Sequence, residues 1–390
     1  MKKNSPKILK TPTGRPAKRA AGPKQGGETL REILSQPETW TETAQRLANN
    51  ALFAQIPQLF SPREPFLFVA CGSSYYLSWI VAAQWSKLLA VPCMAVPASE
   101  MLFAPEEILA RAGAKQLVLI SRSGKTTEVL RVAQLLAARH GLRTLGVTCN
   151  EHSRLVDLCT LTLSLPWADE KSLVMTRSFT AILLLFARLA ADFTENVALS
   201  AALGRLPAKA AAWLAANADK IRAFGAGHRF GDFVFLGQQT HYWLAQEGAL
   251  KMTEMSSSYA QAYHTLEFRH GPKSIASPDT LITFLLSDAT AEEEGQLVEE
   301  VKKLGAATLV IGNHVAAAVP RWSDLTVELG FDEPEFAQLA LAAMPTQLLG
   351  LAVGLRKGLN PDQPKNLTRA VVLESRNGSA AATSRKRSTA

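Results

Sequence analysis

The run FLFVACG at residues 66–72 is a short apolar stretch that ends in a glycine, and FVFLG at residues 233–237 repeats it. Three further apolar runs recur in the same order and at an almost constant spacing. These pairs are 117–121 with 283–287, 141–147 with 305–311, and 161–165 with 325–329. Four matches in one order indicate that a single pattern of strands and helices is written twice along the chain.

The runs lack the alternation of polar and apolar residues that a half-exposed strand shows, which is typical of a parallel sheet covered on both faces. Stretches with helical periodicity, such as 125–139, separate the runs and would supply the cover. The predicted fold class is therefore α/β, with two tandem flavodoxin-like αβα domains at about 45–200 and 205–360. We also expect a leading helix pair at 29–50 and a linking helix in the alanine-rich segment 207–222.

The composition favours a cytoplasmic globular protein. A chain of 390 residues can bury two or three domain cores. It has no uncharged apolar run of 18 residues, so we expect no transmembrane helix, and its N-terminus lacks the apolar region of a signal peptide. The cysteines are scattered without a C-x-x-C pair, which favours reduced thiols over disulfides or a zinc site. These are Cys71, Cys93, Cys149 and Cys159.

The net charge of +8 belongs to the two ends of the chain. Residues 1–27 contain eight Lys and Arg and no acid, and residues 376–390 add four more. Without these twelve charges the rest of the chain has a net charge of −4. We therefore predict disordered basic tails at 1–27 and 373–390, around domains at 28–204 and 205–372. Such tails could contact acidic surfaces weakly, but we expect no membrane and no specific nucleic acid as a partner.

Two loops of the first half are suited to bind an anion. Residues 71–74 (CGSS) and 121–127 (SRSGKTT) each follow a strand and precede a helix. Backbone N–H groups and hydroxyls at a helix N-terminus bind phosphate well, and Arg122 and Lys125 would add positive charge. Each hydroxyl residue could instead be an ordinary helix cap. Because the two loops lie at neighbouring strand ends, the sequence favours an anion site.

Neither loop is a nucleotide-binding motif. The residues Gly124-Lys125-Thr126 resemble the end of a Walker A loop, but the glycine that this motif needs at position 119 is Leu119. The sequence also lacks the G-x-G-x-x-G pattern of dinucleotide sites and a cluster of metal-ligand residues. We therefore expect no cofactor and no metal.

A charged helix marks the second half. Glu247, Lys251 and Glu254 have the i, i+4, i+7 spacing that puts them on one stripe of a helix, and His270 follows in the segment RHGP. A carboxylate, a lysine and a histidine can perform proton transfer. Glu247 and Lys251 could equally form a common surface ion pair. The spacing alone leaves both interpretations open.

Together these motifs resemble the sugar isomerase (SIS) domain family. They are CGSS at 71–74, SRSGKT at 121–126, EGALKMTE at 247–254 and HGP at 270–272. The chain is similar to double-SIS proteins over about 28–372, including the isomerase half of glucosamine-fructose-6-phosphate aminotransferase. It is more similar to the galactosamine-6-phosphate deaminase and tagatose-6-phosphate ketose–aldose isomerase group. Segments shared with that group are 29–37 with Trp40, 170–180 and 268–272.

The resemblance implies a role for each motif. Ser74, Ser121, Ser123 and Thr126 match residues that bind the sugar phosphate, and the backbone at Arg122 assists them. The first copy of the domain would therefore bind the phosphate and the second would supply the catalytic groups.

The catalytic roles also follow from the resemblance. Glu254 matches the carboxylate that moves a proton between C1 and C2, and Lys251 matches the lysine that stabilises the enediolate. His270 matches the histidine that opens the sugar ring, and it acts across the interface of a homodimer. Thr176 and Arg177 lie in a loop that contacts the sugar. Glu247 is expected to support Lys251, which would need a neighbouring carboxylate as a counter-charge.

One departure from the aminotransferase affects the predicted reaction. Its tail lysine, which forms a Schiff base with the ketose, corresponds to Arg369 of the segment 363–369, while Lys365 is out of register. Arginine forms no such adduct at neutral pH, so Arg369 is expected only to contact the substrate. No nucleophilic cysteine follows Met1, so glutamine is not the expected source of ammonia.

The expected activity is therefore deamination of a hexosamine 6-phosphate, of galacto or gluco configuration, to a ketose 6-phosphate. The enzymatic alternative is aldose–ketose isomerisation without release of ammonia. A third possibility is a non-catalytic phosphosugar sensor. Sensors of this kind usually carry a DNA-binding helical domain, and residues 1–27 are too polar to form one.

Overall fold

The computed structural model describes residues 25–139 and 141–373, so the tails predicted at 1–27 and 373–390 lie almost wholly outside the described residues. The first half contains Gly27–Leu34 (α1), Gln36–Ala48 (α2), Ala51–Leu59 (α3), Phe66–Ala70 (β1), Ser73–Leu89 (α4), Cys93–Pro97 (β2), Ala98–Phe103 (α5), Pro105–Ala112 (α6), Gln116–Ile120 (β3), Thr127–Ala137 (α7), Arg143–Thr148 (β4), Leu155–Leu158 (α8), Leu161–Ser164 (β5) and Arg177–Phe193 (α9). The second half contains Val197–Gly227 (α10), Asp232–Gly237 (β6), Thr240–Ser256 (α11), Ala260–His264 (β7), Thr280–Leu285 (β8), Ala291–Lys303 (α12), Ala307–Gly312 (β9), Leu325–Glu328 (β10) and Glu335–Arg356 (α13).

The strands form two parallel sheets of five strands each. Their orders are β2-β1-β3-β4-β5 and β7-β6-β8-β9-β10, which is the same flavodoxin-like order in both halves. Registers also correspond, since Phe66 pairs with Gln116 in the first sheet and Phe233 with Leu281 in the second. The predicted tandem αβα architecture is confirmed.

The repeat read from the sequence contains four of the five strand pairs. The pair that it missed is β2 and β7, which are edge strands of the two sheets. Every residue of β7 is only half-buried, whereas every residue of β1 is buried. The sequence of β7, AQAYH, has no continuous apolar run, so the pattern that revealed the other strands is absent from it.

The helix that links the halves, α10, is longer than the segment predicted for it. It spans 31 residues and begins where the side chain of Asn196 accepts a hydrogen bond from the backbone N–H of Leu199. Its first turns continue with the buried residues Leu199, Ala202 and Leu206. The boundary predicted between residues 204 and 205 therefore falls inside a continuous helix. The predicted leading pair is present as α1 and α2, and α3 follows them.

The last helix, α13, lies in the centre of the molecule and packs on α10 and α11. Within the described part of the chain, α13 is long and apolar enough to span a membrane, but its whole apolar stretch is buried in the fold. Its glycines bring α11 unusually close. A Cβ on Gly354 would lie 2.2 Å from the carbonyl oxygen of Met255, so only glycine fits there. Close contact of this kind fixes the position of α11, which carries Lys251 and Glu254.

After α13 the chain returns to the first half as an irregular segment of turns and bends, residues 360–373, which we call the strap. Asp362 anchors its beginning by accepting a hydrogen bond of 2.7 Å from the backbone N–H of Thr29. The end of the strap lies at the N-terminus of α7, where Thr127 N donates to Val371 O (3.1 Å). The strap therefore crosses the carboxyl edge of the first sheet, where a ligand of such a sheet is expected to bind.

Candidate active site

Two loops at the carboxyl edge of the first sheet each turn at a glycine of positive φ and lead into a helix. Between β1 and α4, Gly72 has φ +58°, a conformation that favours glycine. Between β3 and α7, Gly124 has φ +61°, and a Cβ there would lie 2.1 Å from Ser153 Oγ. Ser121 and Thr126 lie at the two ends of this second loop, and their hydroxyl oxygens are 3.1 Å apart. Both loops thus present hydroxyls and helix N-termini on one side.

A cavity of about 220 Å³ opens between these loops, the end of α11 and the strap. The structure brings seven of the predicted site residues to its wall. They are Ser74, Ser121, Arg122, Ser123, Thr126, Glu254 and Arg369. The lining thus combines both halves of the chain, with the hydroxyl-rich loops from the first half and one carboxylate from the second.

Arg122 connects three parts of the cavity wall. Its guanidinium is buried and donates a hydrogen bond of 3.2 Å to Glu170 Oε2. It also donates to the carbonyl oxygens of Leu173 (2.8 Å) and of Arg369 in the strap (3.4 Å). The side chain of Arg122 is therefore used for contacts within the protein, whereas the sequence predicted that it adds positive charge for the anion while its backbone assists in binding the phosphate.

The sequence analysis did not single out Glu170. Its carboxylate is fully buried, and besides Arg122 it accepts hydrogen bonds from the backbone N–H groups of Thr176 (2.9 Å) and Ser178 (2.7 Å) at the start of α9. The available signal was its place at the beginning of the segment 170–180, which carries the family resemblance. Its charged partner, Arg122, lies on another loop and could not be read from that segment.

Thr176 and Arg177 lie outside the set of described residues that line the cavity. Thr176 is buried, and Arg177 donates to the carbonyl oxygen of Asp169 and to Ser35 Oγ. Leu173 and Met175 of the same loop line the cavity instead, and Met175 Sδ lies 3.7 Å from Ser74 Oγ. This loop therefore presents apolar side chains to the cavity.

The charged stripe of α11 is buried, which the surface ion-pair interpretation did not predict. Lys251 has no exposed side-chain surface, donates a hydrogen bond to Glu254 and lies 3.4 Å from Glu247 Oε1. Burial opposes the charge of Lys251, but the two carboxylates outweigh it and raise its pKa. The arrangement keeps an ammonium group beside the one carboxylate that lines the cavity.

Glu247 lies deeper than Glu254. Burial raises the pKa of Glu247 to about 7, although the nearby ammonium of Lys251 favours its charged form. The negative charge of Glu254 raises it further. The three groups therefore form one coupled cluster in which the charges depend on each other.

His270 lies outside the set of described residues that line this cavity. It is exposed, on a turn that follows β7 between two short 3-10 segments, Glu267–Arg269 and Pro272–Ile275. The structure of one chain therefore brings Glu254 and Lys251 to the site but leaves His270 on the surface.

Arg369 reaches the cavity from the strap. Its guanidinium forms an ion pair with Asp169, and its carbonyl oxygen accepts a hydrogen bond from Arg122. Arg369 therefore fastens the strap to the loop that begins at Asp169 while it faces the cavity.

The corresponding edge of the second sheet is filled by the chain itself. In the loop after β8, the backbone N–H of Ser287 donates to Glu294 Oε2 (3.0 Å), and Thr265 Oγ1 donates to Glu294 Oε1 (2.9 Å). A carboxylate thus occupies the position that an anion would take in the first half. Gln239, at the position that Gly72 takes in the first half, also has a positive φ of 51°.

Glu294 is expected to make stability depend on pH. Burial raises the pKa of Glu294 from 4.5 to about 7, against the effect of its hydrogen bonds. Between pH 4.5 and about 7 the unfolded state therefore binds fewer protons than the folded state. The free energy of unfolding falls as pH rises through this range. Glu294→Gln mimics the protonated acid. It should match the parent protein in urea unfolding at pH 5 and exceed it by roughly 2–3 kcal/mol at pH 8. A difference that is the same at both pH values would contradict this assignment.

Comparison with known proteins gives the same picture as the geometry. A model of the SIS domain matches residues 59–191 and again 231–353. The chain is 28% identical over 369 residues to glutamine–fructose-6-phosphate aminotransferase of Acinetobacter baylyi, covering 88% of this chain and 59% of that protein. It is 30% identical over 337 residues to the enzyme of the same name from Gluconobacter oxydans, covering 82% and 53%. The chain thus spans a little over half the length of these relatives.

Solved structures are matched over nearly their whole length. Glucosamine-6-phosphate deaminase of Thermotoga maritima is 30% identical with a TM-score of 0.71, covering 89% of this chain and 100% of that one. Tagatose-6-phosphate ketose/aldose isomerase of Escherichia coli is 22% identical with a TM-score of 0.74, covering 90% and 97%, and at this identity it supports the fold alone. The two matched segments each contain one of the five-stranded sheets. The chain belongs to the SIS domain family and carries the domain twice.

Proposed function

We propose that the protein is an amino-sugar-phosphate deaminase and isomerase, which converts a hexosamine 6-phosphate to a ketose 6-phosphate and ammonia. The observation that carries this proposal is the shared cavity. The anion loops of the first half and Glu254 of the second half face the same space, and Lys251 lies behind Glu254. The name of the similar Thermotoga maritima protein, glucosamine-6-phosphate deaminase, supports the same reaction.

The mechanism begins with the phosphate held at the N-termini of α4 and α7. This contact leaves the other end of the open-chain sugar to reach Glu254 across the cavity. The Glu254 carboxylate takes the proton from C2 and gives an enolamine, and Lys251 offsets the negative charge that develops on the oxygen at C1. Return of the proton to C1, together with transfer of a proton from the amino group to the C1 oxygen, leaves a hydroxyl at C1 and an imine at C2. Water adds to that imine, the C–N bond breaks, and ammonia leaves with the ketose 6-phosphate.

Ring opening needs a second acid–base group besides Glu254, and no histidine among the described residues lines the cavity of one chain. His270 is exposed on its turn, and the family resemblance assigns it to the neighbouring site of a homodimer. We therefore propose that two chains share their active sites and that His270 of the partner subunit protonates the ring oxygen. A histidine suits this step because its ordinary pKa lies near neutral pH.

Arg369 bears on the choice of reaction. It occupies the position of the lysine that forms a Schiff base in the aminotransferase, and here it is held by Asp169. A guanidinium stays protonated and does not form that adduct. This difference favours release of ammonia over its incorporation.

An ammonia assay separates the proposed reaction from the isomerase alternative. Incubation with galactosamine 6-phosphate or glucosamine 6-phosphate should release one ammonia for each ketose 6-phosphate formed. Parallel incubation with aldose and ketose 6-phosphates that lack nitrogen is the control. Ketose formation from those sugars only, without ammonia from either hexosamine, would instead support plain isomerisation. Binding of phosphosugars with no turnover of any of them would support a sensor.

A further inference from the structure

The turn that carries His270 has a defined backbone. A 3-10 segment, Glu267–Arg269, precedes the histidine, and a second one, Pro272–Ile275, follows it. Gly271 between them has φ +125°, which a residue with a side chain rarely adopts. The turn is exposed, so its backbone alone does not fix the direction in which His270 points.

A single carboxylate holds the turn from both sides of the histidine. Glu300 Oε1 accepts hydrogen bonds from Arg269 Nη2 (2.9 Å) and Nε (3.1 Å), and Glu300 Oε2 accepts one from Lys273 Nζ (3.0 Å). We call Glu300 with Arg269 and Lys273 the clamp. The hydrogen bond from Arg269 is the main cause that lowers the pKa of Glu300, so the clamp stays charged at neutral pH. The clamp therefore spans the residue before His270 and the third residue after it.

The clamp is attached to a rigid element. Glu300 lies on α12, which is held in the fold by the fully buried side chains of Leu297, Val298 and Val301. A bidentate contact between arginine and a carboxylate restricts orientation as well as distance. The rigid position of α12 therefore restrains the turn through Glu300. No other described residue forms an ion pair with Arg269 or Lys273.

We propose that Glu300 is a positioning residue that orients the His270 turn towards the active site of the partner subunit. This inference rests on the proposed function, in which His270 opens the sugar ring. A catalytic group displaced by about 1 Å can lose on the order of a hundredfold in rate, so the loss of one side-chain contact would be visible in turnover. Exposed ion pairs contribute little to stability, so the fold should not depend on Glu300.

Glu300→Gln keeps the size of the side chain but removes the charge that the clamp needs. It is expected to lower kcat by roughly ten- to a hundredfold. KM and the thermal unfolding midpoint should stay unchanged, since the phosphate loops belong to the other half of the chain. Glu299→Gln is the matched control, because Glu299 pairs only with Lys303 on the same helix, and it should retain the parental kcat. Glu300→Asp, which keeps the charge, should recover part of the lost rate.

A double variant tests whether Glu300 acts through His270. His270→Asn alone should lower kcat at least as much as Glu300→Gln, and adding Glu300→Gln to it should cause no further loss. If the two losses in kcat multiply in the double variant, the inference is overturned. It is also overturned if Glu300→Gln has the same kcat as Glu299→Gln while His270→Asn loses turnover. If His270→Asn itself keeps the parental kcat, the role given to His270 in the proposed function fails, and the clamp has no catalytic group to position.

Discussion

Glu254→Gln is expected to abolish turnover and to leave the binding of sugar phosphates nearly intact. Glutamine has the same shape but cannot take up the C2 proton, and loss of a general base costs roughly a hundred- to ten-thousandfold in rate. The hydroxyl loops that we propose bind the phosphate are not altered. Steady-state kinetics gives the loss in kcat, and calorimetric titration with a hexitol 6-phosphate, which cannot react, gives the Kd. Normal turnover would remove Glu254 from the mechanism.

The same variant tests whether two chains share their sites. In a mixture with His270→Asn, each mixed dimer would hold one site with both defects and one site with neither. Random exchange of equal amounts should then restore about a quarter of the parental activity from two inactive proteins. Differently tagged chains show whether subunits have exchanged. If they have exchanged and no activity returns, Glu254 and His270 do not act together across the interface of two subunits.

Glu170→Ala is expected to destabilise the first domain and to weaken phosphate binding at the same time. The change leaves the guanidinium of Arg122 buried without its partner, and side-chain exposure in this ion pair is only 6% and 0%. Breaking a buried ion pair by removing one member costs roughly 3–5 kcal/mol. The backbone N–H groups of Thr176 and Ser178 lose their acceptor as well.

An exposed ion pair provides the control. Asp192 pairs with Arg188 one turn away on the surface of α9, so Asp192→Ala should cost less than about 1 kcal/mol. Urea unfolding measures both changes in the free energy of unfolding, and titration with inorganic phosphate measures the effect on the loops. Equal effects of Glu170→Ala and Asp192→Ala would show that the buried pair does not support the cavity.

The central strands could be predicted because their chemistry is local. A continuous apolar run such as 66–70 is buried on both faces wherever it is placed in a parallel sheet, so its sequence is sufficient. The edge strand 260–264 is half-buried, and its mixed sequence resembles that of a loop. The reach of α10 was also underestimated, because its extra turns depend on a cap at Asn196 and on burial against other helices.

The site residues that belong to short local motifs could be predicted from the sequence. The hydroxyl loops and Glu254 do meet in one cavity, while the catalytic role of each residue stays a prediction. The contact between Arg122 and Glu170 joins residues 48 positions apart, and no local pattern encodes it. In the segment 170–180 the resemblance pointed to Thr176 and Arg177, but the chain direction at that loop turns Leu173 and Met175 to the cavity instead.

The carboxylate of Glu294 at the edge of the second sheet shows that the two copies of the domain have diverged at this loop. In a protein built from two identical subunits, any mutation changes both copies of a domain at once. Two domains encoded in one gene can diverge, so one copy can lose its anion site while the other keeps it. Gln239 and Gly72 still share a positive φ, as expected of two loops that diverged from one. Under the proposed function, tandem duplication left the first domain to bind the phosphate and the second to transfer the proton.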